Sequence, residues 1–273
     1  MPNRCKILLI VDQSIPIIDI TIERASPDKN LNISSSPSSP KHLSHVIAVI
    51  GCDGSGKSTL SADLISTLQQ QCPIQLIYLG QSSGRIAEWI GELPLIGSRF
   101  QRYLVAKAAN SNDKKKSEPD GVTALVIYLL SKWRIYKFRK MLKLNEQNIL
   151  VITDRYPQAE VAGFNVDGTG LNVVKSRTWF AKKLAAREQR MYQWMSDHIP
   201  ALIIRLNIDA ETAHARKPDH KMARLEAKIA VIPHLSFNKA TILDLDSREP
   251  YDAMLKSALK TSNEVISKFR PKR

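Results

Sequence analysis

One stretch constrains this chain more than any other: Val46-Ile47-Ala48-Val49-Ile50-Gly51-Cys52-Asp53-Gly54-Ser55-Gly56-Lys57-Ser58-Thr59-Leu60. From Gly51 to Ser58 it holds the spacing G-x-x-x-x-G-K-[ST]. A β-branched run precedes it, and Leu60, Leu64, Ile65 and Leu68 follow at helical spacing. Strand, glycine-rich turn and helix in that order form a phosphate-binding loop. Its backbone N–H groups wrap polyphosphate oxygens, and the helix adds the positive end of its dipole. In that geometry Gly51, Asp53, Gly54, Ser55, Gly56, Lys57, Ser58 and Thr59 line the nucleotide phosphates. Lys57 reaches the β/γ-phosphates, and the Ser58 hydroxyl is a ligand for Mg²⁺. The four fixed positions occur by chance in a chain of this length about once in a hundred cases. The flanking pattern lowers that further.

The rest of the chain fits an α/β enzyme. From Ser44 onward, strand-like runs at 46–50, 74–79, 149–153, 201–207 and 241–245 alternate with helix-like segments. Those helices are expected at 57–70, around 85–107, and at 122–143, 176–197, 210–216, 221–231 and 250–268. Such alternation predicts an α/β fold with a parallel sheet covered on both faces. In helix 176–197 the stripe Phe180, Leu184, Met191, Trp194 and Met195 is read as core. Asp209 is read as the cap of helix 210–216. Residues 1–43 read as an appendage with a Ser/Pro linker at Asn32–Pro40, and residues 44–273 as the main domain. A strand pair, part of a further domain and disorder all remain open for that appendage.

Charge and cysteine content narrow the setting. The formal charge of +14 admits nucleic acid, anionic membrane or polyphosphate as partners. No zinc finger, RNA-recognition signature or aromatic–basic platform accompanies it, so nucleic-acid and membrane roles are not expected. Lys114 to Lys116 read as a solvated loop. Lys132, Arg134, Lys137, Arg139, Lys140 and Lys143 read as the solvated face of one helix. Three cysteines with no metal spacing suit a reducing cytoplasm. The apolar run Ile7–Val11 is too short for a signal-peptide core.

Two further constellations belong with the phosphate loop. Strand 149–153 runs into Asp154-Arg155-Tyr156-Pro157, at the strand end where ligands of open α/β sheets sit. A carboxylate there orients Mg²⁺ or accepts a proton, and an arginine binds an anionic acceptor. Beyond strand 201–207, the basic string Arg216-Lys217-Pro218-Asp219-His220-Lys221 suits a lid over transferring phosphates.

The set Gly51–Thr59, Asp154-Arg155-Tyr156 and Arg216-Lys217 resembles the thymidylate kinase-like branch of P-loop nucleoside and nucleotide kinases, over residues 45 to about 268. The strings Gly163-Phe164-Asn165 and Arg216-Lys217-Pro218-Asp219-His220 are similar to those of divergent relatives associated with surface-polysaccharide genes. The resemblance implies the α/β three-layer sandwich of P-loop NTPases with a parallel five-stranded sheet, and a phosphotransferase using ATP and Mg²⁺, with a small-molecule phosphoryl acceptor and a basic lid. It implies that Asp53 touches the acceptor, that Arg155 and Arg134 hold it, and that Arg216 is the lid arginine. Lys57, Asp154 and Arg216 are then the catalytic residues, with Ser58 and Asp154 on the metal side. Family members are often dimers, so a homodimer is a further expectation.

One departure bears on the acceptor. Where thymidylate kinases resemble R-E-P-G after their second strand, this chain reads Tyr78-Leu79-Gly80-Gln81-Ser82-Ser83-Gly84-Arg85, in which Arg85 could substitute but stands at the wrong spacing. The expectation is therefore an acceptor other than dTMP. Two alternatives stay open, a dTMP kinase and an NTP-hydrolysing switch without a small-molecule acceptor.

Overall fold

Alternating side chains along the central strands decide which residues face which layer. In β1 (Lys41–Gly51), Val46, Ala48 and Ile50 join one apolar cluster, while Ile47 and Val49 join another. The same division separates Val151 from Leu150 and Ile152 in β3 (Leu150–Asp154), and Ile203 from Leu202, Ile204 and Leu206 in β4 (His198–Asn207). A sheet apolar on both sides must be covered on both sides, which is the parallel-sheet solution.

The computed structural model describes residues 40–80, 121–161, 170–171 and 178–269. Its sheet holds five parallel strands in the order β2-β3-β1-β4-β5, with β2 at Ile74–Tyr78 and β5 at Ile242–Asp246. One face carries α1 (Lys57–Leu68) and the C-terminal helix, α6 in chain order (Tyr251–Phe269). Leu60, Leu64 and Leu68 are wholly buried there with Met254 and Ala258. Each such leucine contributes about 1.5–3 kcal/mol of transfer free energy. The other face carries α2 (Gly121–Glu146), α3 (Trp179–Ser196) and α5 (Met222–Val231), with Phe138, Met141, Met195 and Leu225 buried against the sheet. The short helix α4 (Ala210–Arg216) starts after β4, where Asp209 caps it by accepting from the Thr212 amide at 2.7 Å. The α/β sandwich expected from the sequence is therefore the observed fold.

Three details differ from the sequence reading. β1 begins at Lys41, and Lys41 to Leu43 pair with His198 to Pro200 of β4, so the sheet takes in three residues placed in the appendage. A register shift between Leu43 and Ile47 separates this pairing from the apolar strand core, which is why the apolar run alone marked a later start. In α3 the buried face is Ala181, Leu184, Ala185, Glu188, Tyr192 and Met195, whereas Phe180 and Trp194 are exposed. Small alanines let α3 approach Ala124 of α2, and the rings of Phe180 and Trp194 are left on the exposed side. On α2, Arg134 is 2% exposed and Lys137 is half-buried, so these two do not lie on a solvated face. The helix expected around 85–107, Lys114 to Lys116 and the appendage fall outside the described residues. No helix among the described residues is long and apolar enough to cross a membrane.

Candidate active site

The carboxyl ends of β1, β3 and β4 meet where the strand order turns from β3 through β1 to β4, the place where open α/β sheets take ligands. The turn from Gly51 to Gly56 leaves β1 there and enters α1 directly. Gly54 and Gly56 hold φ of 86° and 85°, a left-handed backbone that side chains rarely adopt. At Gly54 a Cβ would also meet the Ala213 carbonyl oxygen of α4 at 2.7 Å. The first-turn N–H groups of α1 have no intrahelical partners, so they face the hollow of the loop as anion donors.

Lys57 is the first residue of α1, and its ammonium hydrogen-bonds the Cys52 carbonyl across the loop. It is 6% exposed, so its stem is packed inside the loop rather than standing free of it. Ser58 Oγ donates to Asp154 Oδ2 at 2.9 Å, bringing the two expected metal-side residues together across 96 positions of sequence. Asp154 is the last residue of β3, and its Oδ1 is buried with no hydrogen-bond partner among the described residues. A buried, unsatisfied carboxylate oxygen is costly, and it sits beside a hydroxyl in an oxygen-rich corner. That donor set fits Mg²⁺, which takes one or two protein oxygens and fills the rest with water and phosphate.

Asp53 is the hub of the other side of the loop. Arg155 Nη2 lies 3.0 Å from its Oδ1, Lys228 of α5 hydrogen-bonds its Oδ2, and His220 Nδ1 lies 3.6 Å away. Burial alone would raise the Asp53 carboxyl. The hydrogen bond and charge of Lys228, with the charges of Lys57 and Arg155, outweigh it and hold the carboxyl well below the usual carboxylate range. Arg155 reaches this position from a left-handed backbone, φ 78°, with its amide donating to the Val49 carbonyl at 2.8 Å.

The basic segment after β4 grips the same loop. Arg216, at the end of α4, donates to the Gly54 carbonyl at 3.4 Å and the Ser247 carbonyl at 2.9 Å. Ser247 Oγ donates to the Ser55 carbonyl at 3.0 Å, and Cys52 Sγ lies 3.8 Å from the Leu225 carbonyl of α5. The segment from Arg216 to Lys228 is thus tied to positions 52, 53 and 54 of the phosphate loop.

Arg134 stands apart from this cluster. Its guanidinium lies over the Tyr192 ring, 5.4 Å from the centroid, and donates to Tyr192 Oη at 2.7 Å. Beside it Glu188 accepts from the Ser131 hydroxyl and, at 2.6 Å, from the Leu171 amide. Burial raises the Glu188 carboxyl against those bonds and the charge of Arg134. The described contacts of Arg134 run to α3 rather than to the phosphate loop.

Of the residues around Asp53, Lys228 carries no signal in the sequence beyond its place in the helix expected at 221–231, whereas His220 stands inside the basic string.

A parallel sheet whose first strand turns through glycines into a helix, with Lys57, Ser58 and Asp154 converging there, defines a P-loop α/β protein. The chain is 54% identical over 222 residues to the uncharacterized ATP-binding protein YghS of Escherichia coli (strain K12), covering 81% of this chain and 94% of that protein. It is 42% identical over 237 residues to the uncharacterized ATP-binding protein YghR of the same strain, covering 87% and 94%. The chain belongs to the family of YghS and YghR. No family model matches it. Among solved structures it is similar to the deoxyadenosine kinase of M. mycoides bound to dCMP and dCDP, with a TM-score of 0.48, 15% identity, and coverage of 80% of this chain and 99% of that one.

Proposed function

We propose that this protein is an ATP-dependent phosphotransferase that moves the γ-phosphoryl group of ATP to a small-molecule acceptor. The observation that carries the reading is the convergence of Lys57, Ser58 and Asp154 on a glycine-rich helix entry, with a basic segment fastened over it. Sequence similarity to proteins named ATP-binding supports ATP as the nucleotide.

The loop amides and Lys57 would bind the β- and γ-phosphates, with Lys57 exchanging its Cys52 carbonyl for phosphate oxygen. Ser58 and Asp154 would hold Mg²⁺, which supplies charge neutralisation on the phosphates. An acceptor oxygen then forms its bond to the γ-phosphorus as the bond to the β–γ bridging oxygen breaks, and ADP leaves. If the attacking group is a hydroxyl, Asp154 would take its proton. Arg216 would neutralise charge on the transferring group from the lid side, and Asp53 would fix Arg155 against the acceptor. Positioning and electrostatics carry the rate, since little covalent chemistry falls to the protein. Such chemistry belongs in the cytoplasm, where ATP is available.

The test is a screen of purified protein with Mg·ATP and a panel of nucleosides, nucleotides and sugars, read by product mass. A phosphorylated acceptor with matching ADP supports the reading. ADP and free phosphate alone, unchanged by any acceptor, point instead to an NTP-hydrolysing switch.

A further inference from the structure

The positions Gly80 to Ser83 after β2 carry no cation of their own, yet the structure brings one to Gly80 from elsewhere. β2 lies beside β3 with Tyr78 opposite Asp154, and the Leu79 amide donates to the Asp154 carbonyl at 3.0 Å. Tyr78 to Gly80 therefore border the catalytic corner. Lys137, midway along α2, donates its ammonium to the Gly80 carbonyl at 3.0 Å. The Tyr78 ring serves two cations at once: Lys137 Nζ lies 5.2 Å from its centroid and Arg155 Cζ lies 5.8 Å away.

Gly80 makes this arrangement possible. A Cβ at that position would meet Tyr78 Oη at 2.3 Å and Arg155 Cδ at 2.7 Å. The backbone is thus pressed against both side chains, and its carbonyl is turned to Lys137. The charged groups around Lys137 are Arg134 on its own helix and Arg155, which lies against the same Tyr78 ring, with Glu188 of α3 lying on the Arg134 side. Burial and the charge of Arg134 pull the Lys137 ammonium down to about 8. A cation held half-buried beside other cations, at the ligand end of a parallel sheet, gains most from a bound anion.

We propose that Lys137 is an acceptor-binding residue, holding with Arg155 an anionic group of the phosphoryl acceptor beside Tyr78. The chemistry is that of a phosphate monoester: an ammonium point charge on one side and a guanidinium fork on the other. Lys137 thereby does from α2 what an arginine in the loop after β2 would do. The missing arginine at Gly80–Ser83 is then no argument against an acceptor that already carries a phosphate. The inference rests on the phosphotransferase reading above.

Inorganic phosphate is the probe, titrated calorimetrically into the full chain with its phosphate loop saturated by Mg·AMPPNP. The wild-type protein should show a saturable phosphate site. Lys137→Met should weaken it by about tenfold or more, and Lys137→Arg should keep it within about threefold. Phosphate affinity of the wild type should fall as pH rises through the Lys137 range, while Lys137→Arg stays flat there. Affinity for Mg·AMPPNP should be equal in all three proteins. Equal phosphate affinity in wild type and Lys137→Met, or no saturable phosphate site in the wild type, overturns the proposal. Failure of every protein to bind Mg·AMPPNP overturns the phosphotransferase reading, and with it this inference.

Discussion

Replacing Asp53 by Asn removes a charge without changing the shape of the residue. Lys228, with a side chain 10% exposed, and Arg155, at 16%, would then lose their shared carboxylate inside the loop. Breaking one partner out of a buried pair costs about 3–5 kcal/mol. The lower end applies here, because Arg155 also lies over the Tyr78 ring and both cations keep some solvent. A loss of about 3 kcal/mol lowers the melting temperature of a domain this size by about 6–12 °C. The pH dependence gives the sharper signature. The folded carboxyl is held below its unfolded value of about 4, so its stabilisation is fully present above that pH and fades as pH falls below it. Urea denaturation of both proteins at pH 7, 5, 4 and 3 measures this. The gap between wild type and Asp53→Asn should be widest at pH 7 and 5 and shrink by pH 3. Equal stability at pH 7, or a gap indifferent to pH, would refute the reasoning.

Lys57→Met keeps most of the buried volume and should cut ATP turnover about a hundredfold or more while the protein melts within a few degrees of wild type; turnover and thermal unfolding measured together check this. Asp154→Asn should lower kcat far more than affinity for Mg·ATP, because the loop amides still hold the triphosphate; pre-steady-state kinetics beside calorimetry separates the two. A chain starting at residue 40 should retain nucleotide binding. One starting at residue 44 loses the pairing of Lys41–Leu43 with β4 and should melt at a lower temperature, read by differential scanning calorimetry.

What the sequence revealed was local or periodic. The phosphate loop is nine consecutive residues, and the central strands are short runs rich in apolar residues, so both are visible without knowing any tertiary contact. Asp154 is legible because a carboxylate ends a wholly buried strand whose residues before Thr153 are apolar. The cage around Asp53 was not, since Lys228 lies 175 positions away and only the packing of α5 against the loop brings it near. The reach of Lys137 to Gly80 spans 57 positions and depends on how α2 crosses the sheet. Charge on a helix was read as solvent-facing, but burial of Arg134 is compensated by Tyr192 and by the nearby Glu188 carboxylate, partners that no spacing rule announces. The α3 stripe misled for a related reason. Large rings satisfy the helical period, yet close approach to α2 selects Ala181 and Ala185.

The fate of the γ-phosphoryl group tests the central claim most directly. Wild-type protein, Ser58→Ala and Asp154→Asn would each be incubated with Mg²⁺, γ-labelled ATP and a mixture of phosphate-monoester and neutral acceptors. The products would be separated and the label followed. The account predicts label in an organic acceptor with the wild-type protein, and loss of that transfer in both variants. Label found only as inorganic phosphate, or transfer undiminished without Ser58 and Asp154, would contradict it.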